Sequence, residues 1–181
     1  MAKKTIPLRQ SIPLDPKKII KKTISGTFTS LIALFFFSWF ITLPLVSISW
    51  MMQESFSGVF SAVFGLGFFF LLVVVGGMYW YQKAYFRTYF YDMNKDFIII
   101  KKGVFMPVET TLPIEKINDI YVDQDLLDRM FGLYDVHFST ATQMSGLQAH
   151  IDGLLQENAL KLKNIALAAI KKAFATRKHA N

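Results

Sequence analysis

The sequence predicts an α+β protein in which two N-terminal transmembrane helices precede a bent antiparallel sheet, or partly open barrel, capped by a C-terminal helix. Three observations carry this. Two long stretches, Thr23–Gln53 and Ser55–Gln82, hold no charged residue. From Tyr85 the hydrophobic pattern alternates at period two between turn residues, as half-buried strands do. Beyond Leu155 it takes the spacing of one long helix. Composition agrees, since 52% of the 181 residues are hydrophobic and only 18% are charged, where ordinary soluble domains approach a quarter charged.

The chain divides into a basic segment 1–27, the helix pair 28–82, a sheet domain 83–155 and a helix with a basic tail, 156–181. The spans are expected near 28–52 and 57–81, each longer than the roughly 20 residues that cross about 30 Å of hydrocarbon. A cleaved signal peptide fits poorly, because its apolar region is about 7–15 residues long and this run is longer and starts late. Pro44 inside the first span suggests a kink. In the second, Ser61 and Gly65 form a small-xxx-small pair that lets helices approach closely. Packing of the two spans on each other is the simpler use of that pair, and a seam to another chain is the alternative.

Lys3, Lys4, Arg9, Lys17, Lys18, Lys21 and Lys22 precede the first span, Lys83 and Arg87 follow the second, and only Glu54 is charged between them. Lysine and arginine accumulate on cytoplasmic flanks, so both termini should face the cytoplasm of a multi-pass protein in the cell membrane, with the basic flank near anionic headgroups. The net charge of +7 belongs to the flanks. Residues 83–153 carry seven basic and ten acidic residues, which argues against a nucleic-acid footprint. No cysteine is present, so disulfide, thiolate and cysteine-metal chemistry are excluded.

In the sheet domain the strands are read as "YFRTYFYDM" from Tyr85, "FIIIKKGVF", "VETTL", "NDIYVDQ", "YDVHFSTA" and "LQAHIDGL". Pro113 opens a short turn, "DLLDRMFGL" a short helix closed by Gly132, and a long helix follows over about 156–176. Its stripe Leu160, Leu167, Ile170 and Phe174 is expected to pack on the barrel, being too short for a coiled coil.

Five of the thirteen acids fall within Glu115–Asp128. Asp125 is a good N-cap, with Asp128 at N3 completing a capping box in which Asp replaces Glu, and Arg129 stands four residues on to pair with Asp125. Asp119 and Asp123 share the exposed strand face. A calcium loop would need alternating oxygen ligands, a central glycine and a terminal glutamate, whereas "DQDLLD" runs into leucines. His137 and His150 lie on the polar faces of neighbouring strands, where a hairpin would set them side by side near Asp135 or Asp152; a zinc site would want three or four ligands. Neither a glycine-rich phosphate loop nor a G-x-S-x-G motif appears. No catalytic residue, cofactor or metal is expected.

The stretch "LPIEKINDIYVDQDLLDRMFGLYDVHFSTA" resembles the bacterial pleckstrin-homology-like (PH-like) domain of small membrane proteins of the YdbS-like type, over roughly residues 30–155. The matches are Pro113, Ile117, Val122, Gln124, Leu126, Leu127, Arg129, Gly132, Val136 and Thr140, together with the two spans and Gly103–Phe105. Asn118 and the "MNKD" turn depart from the family pattern. The resemblance implies a seven-stranded PH-like sheet capped by a helix. It does not imply an enzyme, nor phosphoinositide binding, because Lys95, Lys101 and Lys102 are interrupted by Asp92 and Asp96. It implies a membrane-anchored scaffold, a related protein with repeated PH-like domains being one candidate partner. An accessory subunit of a transport or export complex is the alternative. A homo- or hetero-oligomer is expected, through Ser61 and Gly65, an open strand edge, or the Leu160–Phe174 stripe.

Overall fold

The computed structural model describes residues 7–51, 56–140 and 149–180. The expected outer loop around Gln53–Gly58 in part, Lys3 and Lys4, and the expected strand start at Leu147 lie outside the described residues. In chain order come α1 (Leu8–Ser11), α2 (Lys17–Met51), α3 (Phe56–Thr88), β1 (Phe90–Met93), β2 (Phe97–Lys102), β3 (Val108–Pro113), a short 3-10 turn at Ile114–Lys116, β4 (Ile117–Asp123), α4 (Leu126–Phe131), β5 (Leu133–Thr140), β6 (His150–Leu155) and α5 (Gln156–Ala180). Two compact units result, residues 22–83 and the remainder.

In the helical unit, α2 and α3 are both long and apolar enough to cross a membrane. Phe36, Trp39 and Phe40 on α2 and Phe64, Leu66 and Phe68 on α3 stand exposed. The half-buried positions of α2 recur every fourth residue, at Gly26, Ser30, Leu34, Ser38 and Thr42, which is one face of a helix. A Cβ built on Gly26 would lie 2.9 Å from Met78 Cε. Two hydroxyls of that face bond back within α2: Ser30 donates to the Gly26 carbonyl at 2.9 Å and Thr42 to the Ser38 carbonyl at 2.9 Å.

The other unit is built on two three-stranded antiparallel sheets, ordered β1-β2-β3 and β4-β5-β6. In the first, Tyr91 opposes Ile100 and Ile98 opposes Leu112; in the second, Ile120 opposes Phe138 and Val136 opposes Ile151. All eight side chains are buried in one core, and each fully buried large apolar side chain stabilises the fold by about 1.5–3 kcal/mol. Six strands stand among the described residues, against the seven that the resemblance implies. Tyr85–Thr88, expected as the start of the first strand, is the last turn of α3. No proline or glycine interrupts the chain between Gln82 and Thr88, so the helix propagates through aromatic residues that by themselves favour strands.

On α5 the buried positions are Ala159, Leu162 and Ala166. Leu167 and Ile170 flank this face half-buried, while Leu160 and Phe174 are exposed. The packing face is therefore rotated from the expected stripe, because the small side chains of Ala159 and Ala166 admit closer approach than leucine does.

The segment before α2 is part of this unit as well. Ile12 and Leu14 are buried in its core. The Leu8 N–H donates to Asp92 Oδ1 at 2.9 Å beside β1, and the Asp15 N–H donates to the Gly153 carbonyl at 2.9 Å along β6. The Tyr91 hydroxyl donates to the Ile12 carbonyl. Residues 8–15 thus cover the outer edges of β1 and β6, which would otherwise present unpaired backbone groups.

Candidate functional site

Asp125 has extended backbone angles, φ −77° and ψ 176°, and its carboxylate accepts the Asp128 N–H at 2.6 Å. Asp128 returns the bond, accepting the Asp125 N–H at 3.3 Å. Gly132, at φ 69°, closes α4 in the left-handed conformation. This is the capping box expected at Asp125 and Asp128. Gln124 of the same motif donates from Nε2 to the Leu133 carbonyl at 2.6 Å, tying the start of α4 to β5.

The partner of these acids is not Arg129. It is Lys21, whose Nζ lies 2.9 Å from Asp125 and in contact with Asp128. Three residues earlier on the same helix face, Lys18 Nζ sits 2.9 Å from Asp152 Oδ1, bonds the Asp152 carbonyl at 3.1 Å, and lies 3.9 Å above the Tyr89 ring. Both lysines are nearly sealed from solvent, at 2% for Lys18 and 3% for Lys21. They are therefore not available to lipid headgroups, contrary to what the basic flank suggested. The clue lay in charge: a strongly basic flank and an acidic domain neutralise one another.

Asp135 completes this acidic interior. It accepts the Gly153 N–H at 2.8 Å. Burial raises its carboxyl to about 6, helped by the charges of Asp152 and Asp128 and opposed by the Gly153 bond and Lys21. Asp125 shifts the other way: its modest burial resists ionisation, but Lys21 and the Asp128 N–H hold it below the ordinary carboxylate value.

A ring column crosses the second sheet. Tyr121, His137 and His150 face one another in register. Tyr121 stacks on His137 at 4.7 Å and His137 on His150 at 5.3 Å. His137 Nε2 lies 3.1 Å from Asp123 Oδ1. The hairpin does set the histidines side by side, but as parallel plates rather than as convergent ligands. Asp119 turns away to accept the Ile120 N–H at 2.8 Å. Among the described residues no group of three or more His, Asp or Glu is placed to hold a metal.

Ser61 and Gly65 do not lie between the two long helices. The half-buried positions of α3 are Val63, Leu71, Val74, Val75 and Met78, and Met78 meets Gly26. At 100° per residue, Gly58, Gly65 and Gly76 fall on the opposite side, with Ser61 at its edge. All four are exposed, and nothing lies within 4 Å of a Cβ placed on Gly58, Gly65 or Gly76. The small residues that serve the intrachain seam are on α2, where sequence reading missed them because serine and threonine there are spaced among large apolar residues.

Comparison with curated proteins and with solved structures returns no match. A family model described as the bacterial PH domain matches residues 25–170, a range that takes in most of α2, all of α3, the six described strands and most of α5. With that match covering most of the chain, and two antiparallel sheets closed by a C-terminal helix beneath it, the protein belongs to the bacterial PH domain family.

Proposed function

We propose that the protein is a membrane-anchored member of the YdbS-like type, whose PH-like domain acts as a non-catalytic interaction scaffold in a membrane-protein assembly. The observation that carries this reading is the outer face of α3. Gly58, Ser61, Gly65 and Gly76 make a surface that admits close backbone approach, and among the described residues nothing lies within 4 Å of a Cβ placed on its three glycines. In lipid, where apolar burial gives helices no mutual attraction, such surfaces are where helices associate. The occupant is another membrane protein, a second copy or a relative with repeated PH-like domains.

Phe36, Trp39, Phe40 and Phe68, left open to the surroundings, suit hydrocarbon and not water. Lysine and arginine on the outer ends of both apolar runs favour two spans with both termini in the cytoplasm. Reporter fusions at Asn181 and within Gln53–Gly58 test the topology; an extracytoplasmic signal from the C-terminal fusion overturns it. Purification in mild detergent followed by mass spectrometry tests the scaffold. A second copy or a sister PH-like protein is expected. A transporter core would make the chain an accessory subunit instead, and recovery of the chain alone would overturn both.

A further inference from the structure

We propose that the β2–β3 turn, Gly103–Pro107, is a membrane-docking tip that inserts Phe105 and Met106 into the interfacial layer of an anionic bilayer. This rests on the membrane-anchored reading above.

The two turns of the first sheet differ in chemistry. The β1–β2 turn is polar: Asn94 accepts the N–H groups of Asp96 and Phe97 at 2.9 and 2.6 Å. The β2–β3 turn carries Val104, Phe105, Met106 and Pro107 in succession. Phe105 is 75% exposed and Met106 85%. Adjacent large apolar side chains left this open on a folded domain mark a contact surface.

The turn is also built rather than slack. Gly103 holds φ 119°, and a Cβ there would stand 2.5 Å from the Met106 carbonyl oxygen and 3.0 Å from Pro107 Cα. Only glycine closes the chain this tightly, and the closure presents Phe105 and Met106 outward.

Register places the tip. α3 ends at Thr88 and β1 begins at Phe90. Phe90 pairs with Lys101, and Lys102 with Val108. The apolar tip therefore stands at the end of the sheet where the chain arrives from the apolar helix, and the polar turn stands at the other end. The exposed charges at that end suit anionic headgroups: Arg87 and Lys101 against Glu109, whose carboxylate lies 3.7 Å from Lys101, while the Lys102 ammonium is turned inward over the Tyr89 ring. Apolar side chains flanked by lysine and arginine are the chemistry of interfacial anchoring.

The chain has no cysteine, so single probes can be placed on the full-length protein in nanodiscs of phosphatidylcholine, alone or mixed with phosphatidylglycerol. Bimane is attached at Met106→Cys, at Asp96→Cys in the polar turn, and at Phe40→Cys on α2. The expected result is a blue-shifted Met106 probe, quenched by nitroxide-bearing lipid and sheltered from aqueous iodide, with iodide reaching Asp96 freely. Shelter should grow with phosphatidylglycerol and shrink with Lys101→Glu. Equal iodide quenching at Met106 and Asp96 overturns the proposal. So does a Met106 probe sheltered from iodide but untouched by lipid nitroxide, which would assign the tip to a protein contact. Phe40 separates the two readings: lipid quenching there with none at Met106 sinks the tip alone, and its absence at Phe40 sinks the membrane anchor itself.

Discussion

The buried ammonium of Lys21 closes on the carboxylate of Asp128, the residue that completes the capping box of α4. Asp128 has no exposure to solvent, so this lysine and the α4 N-terminus stand in for the water it has lost. Removing one member of such a pair strands the other in a poorly solvated site. Lys21→Met is expected to cost about 3–5 kcal/mol of stability. Asp125→Ala, which removes a cap and a mostly exposed half of the ion pair, should cost only about 0.5–2 kcal/mol. Thermal unfolding of the full chain in detergent, followed by circular dichroism, compares the two. Equal losses would show that the Lys21–Asp128 pair adds nothing beyond the cap.

Asp135 predicts a pH dependence of its own. Its carboxyl is raised from 3.8 to about 6 in the fold, so between these values the folded chain binds a proton that the unfolded chain releases. Stability from this group is therefore full below the unfolded value and is lost as pH rises through about 6. The loss is on the order of 3 kcal/mol. Asp135→Asn retains an oxygen to accept the Gly153 N–H, removes a charge facing Asp152 and Asp128, and gives up an attraction to Lys21. It should unfold at higher denaturant than the parent above neutrality and at a similar one in mild acid. A variant destabilised throughout would show that Lys21 needs this charge.

Gly153 and Gly132 share a positive φ, 82° and 69°, but not their surroundings. A Cβ on Gly153 would stand 2.6 Å from Lys18 Cδ and 2.9 Å from Lys18 Cβ, whereas nothing lies within 4 Å of one on Gly132. Gly132→Ala should cost about 1–2 kcal/mol, the strain of a left-handed alanine. Gly153→Ala should cost measurably more, because Lys18 is displaced from Asp152 and Tyr89. Urea unfolding of the two variants isolates that contact, and equal midpoint shifts would remove it.

Most of the second sheet was legible because its chemistry is local. Asp125 and Asp128 stand at cap spacing ahead of two leucines and a closing glycine, and period-two alternation set His137 and His150 on one face. Residues 7–21 were opaque for the opposite reason. Lys18 reaches Asp152 across 134 positions, and a basic flank before an apolar helix has a sufficient local explanation in membrane topology, so nothing in the pattern called for a second partner. Tyr85–Thr88 misled because propensity for strand and continuation of a helix compete there, and an unbroken α3 prevailed. On α5, periodicity found the helix but not its rotation, since two alanines decide which side packs.

Ser61 and Gly65 supply the last prediction, which bears on whether the chain acts alone. The apolar runs of the two helices hold no charged residue, where ion and proton paths usually show one, and under the proposed membrane anchoring a face of small residues turned away from the partner helix offers lipid little side-chain surface. The proposed assembly would bring another helix close to this face, and bulk placed there would hold the helices apart. Because the chain lacks cysteine, Ser61→Cys alone should form a disulfide-linked dimer, or crosslink to a neighbour, in oxidised membranes. Adding Gly65→Leu should reduce that product severalfold without altering the fold, since nothing lies within 4 Å of the Gly65 position. Val74→Cys, half-buried and about 140° around the helix from Ser61 at 100° per residue, should give little product. Only monomer from Ser61→Cys, across a wide range of oxidant and in cells expressing the chain at native level, would mean that lipid alone covers this face.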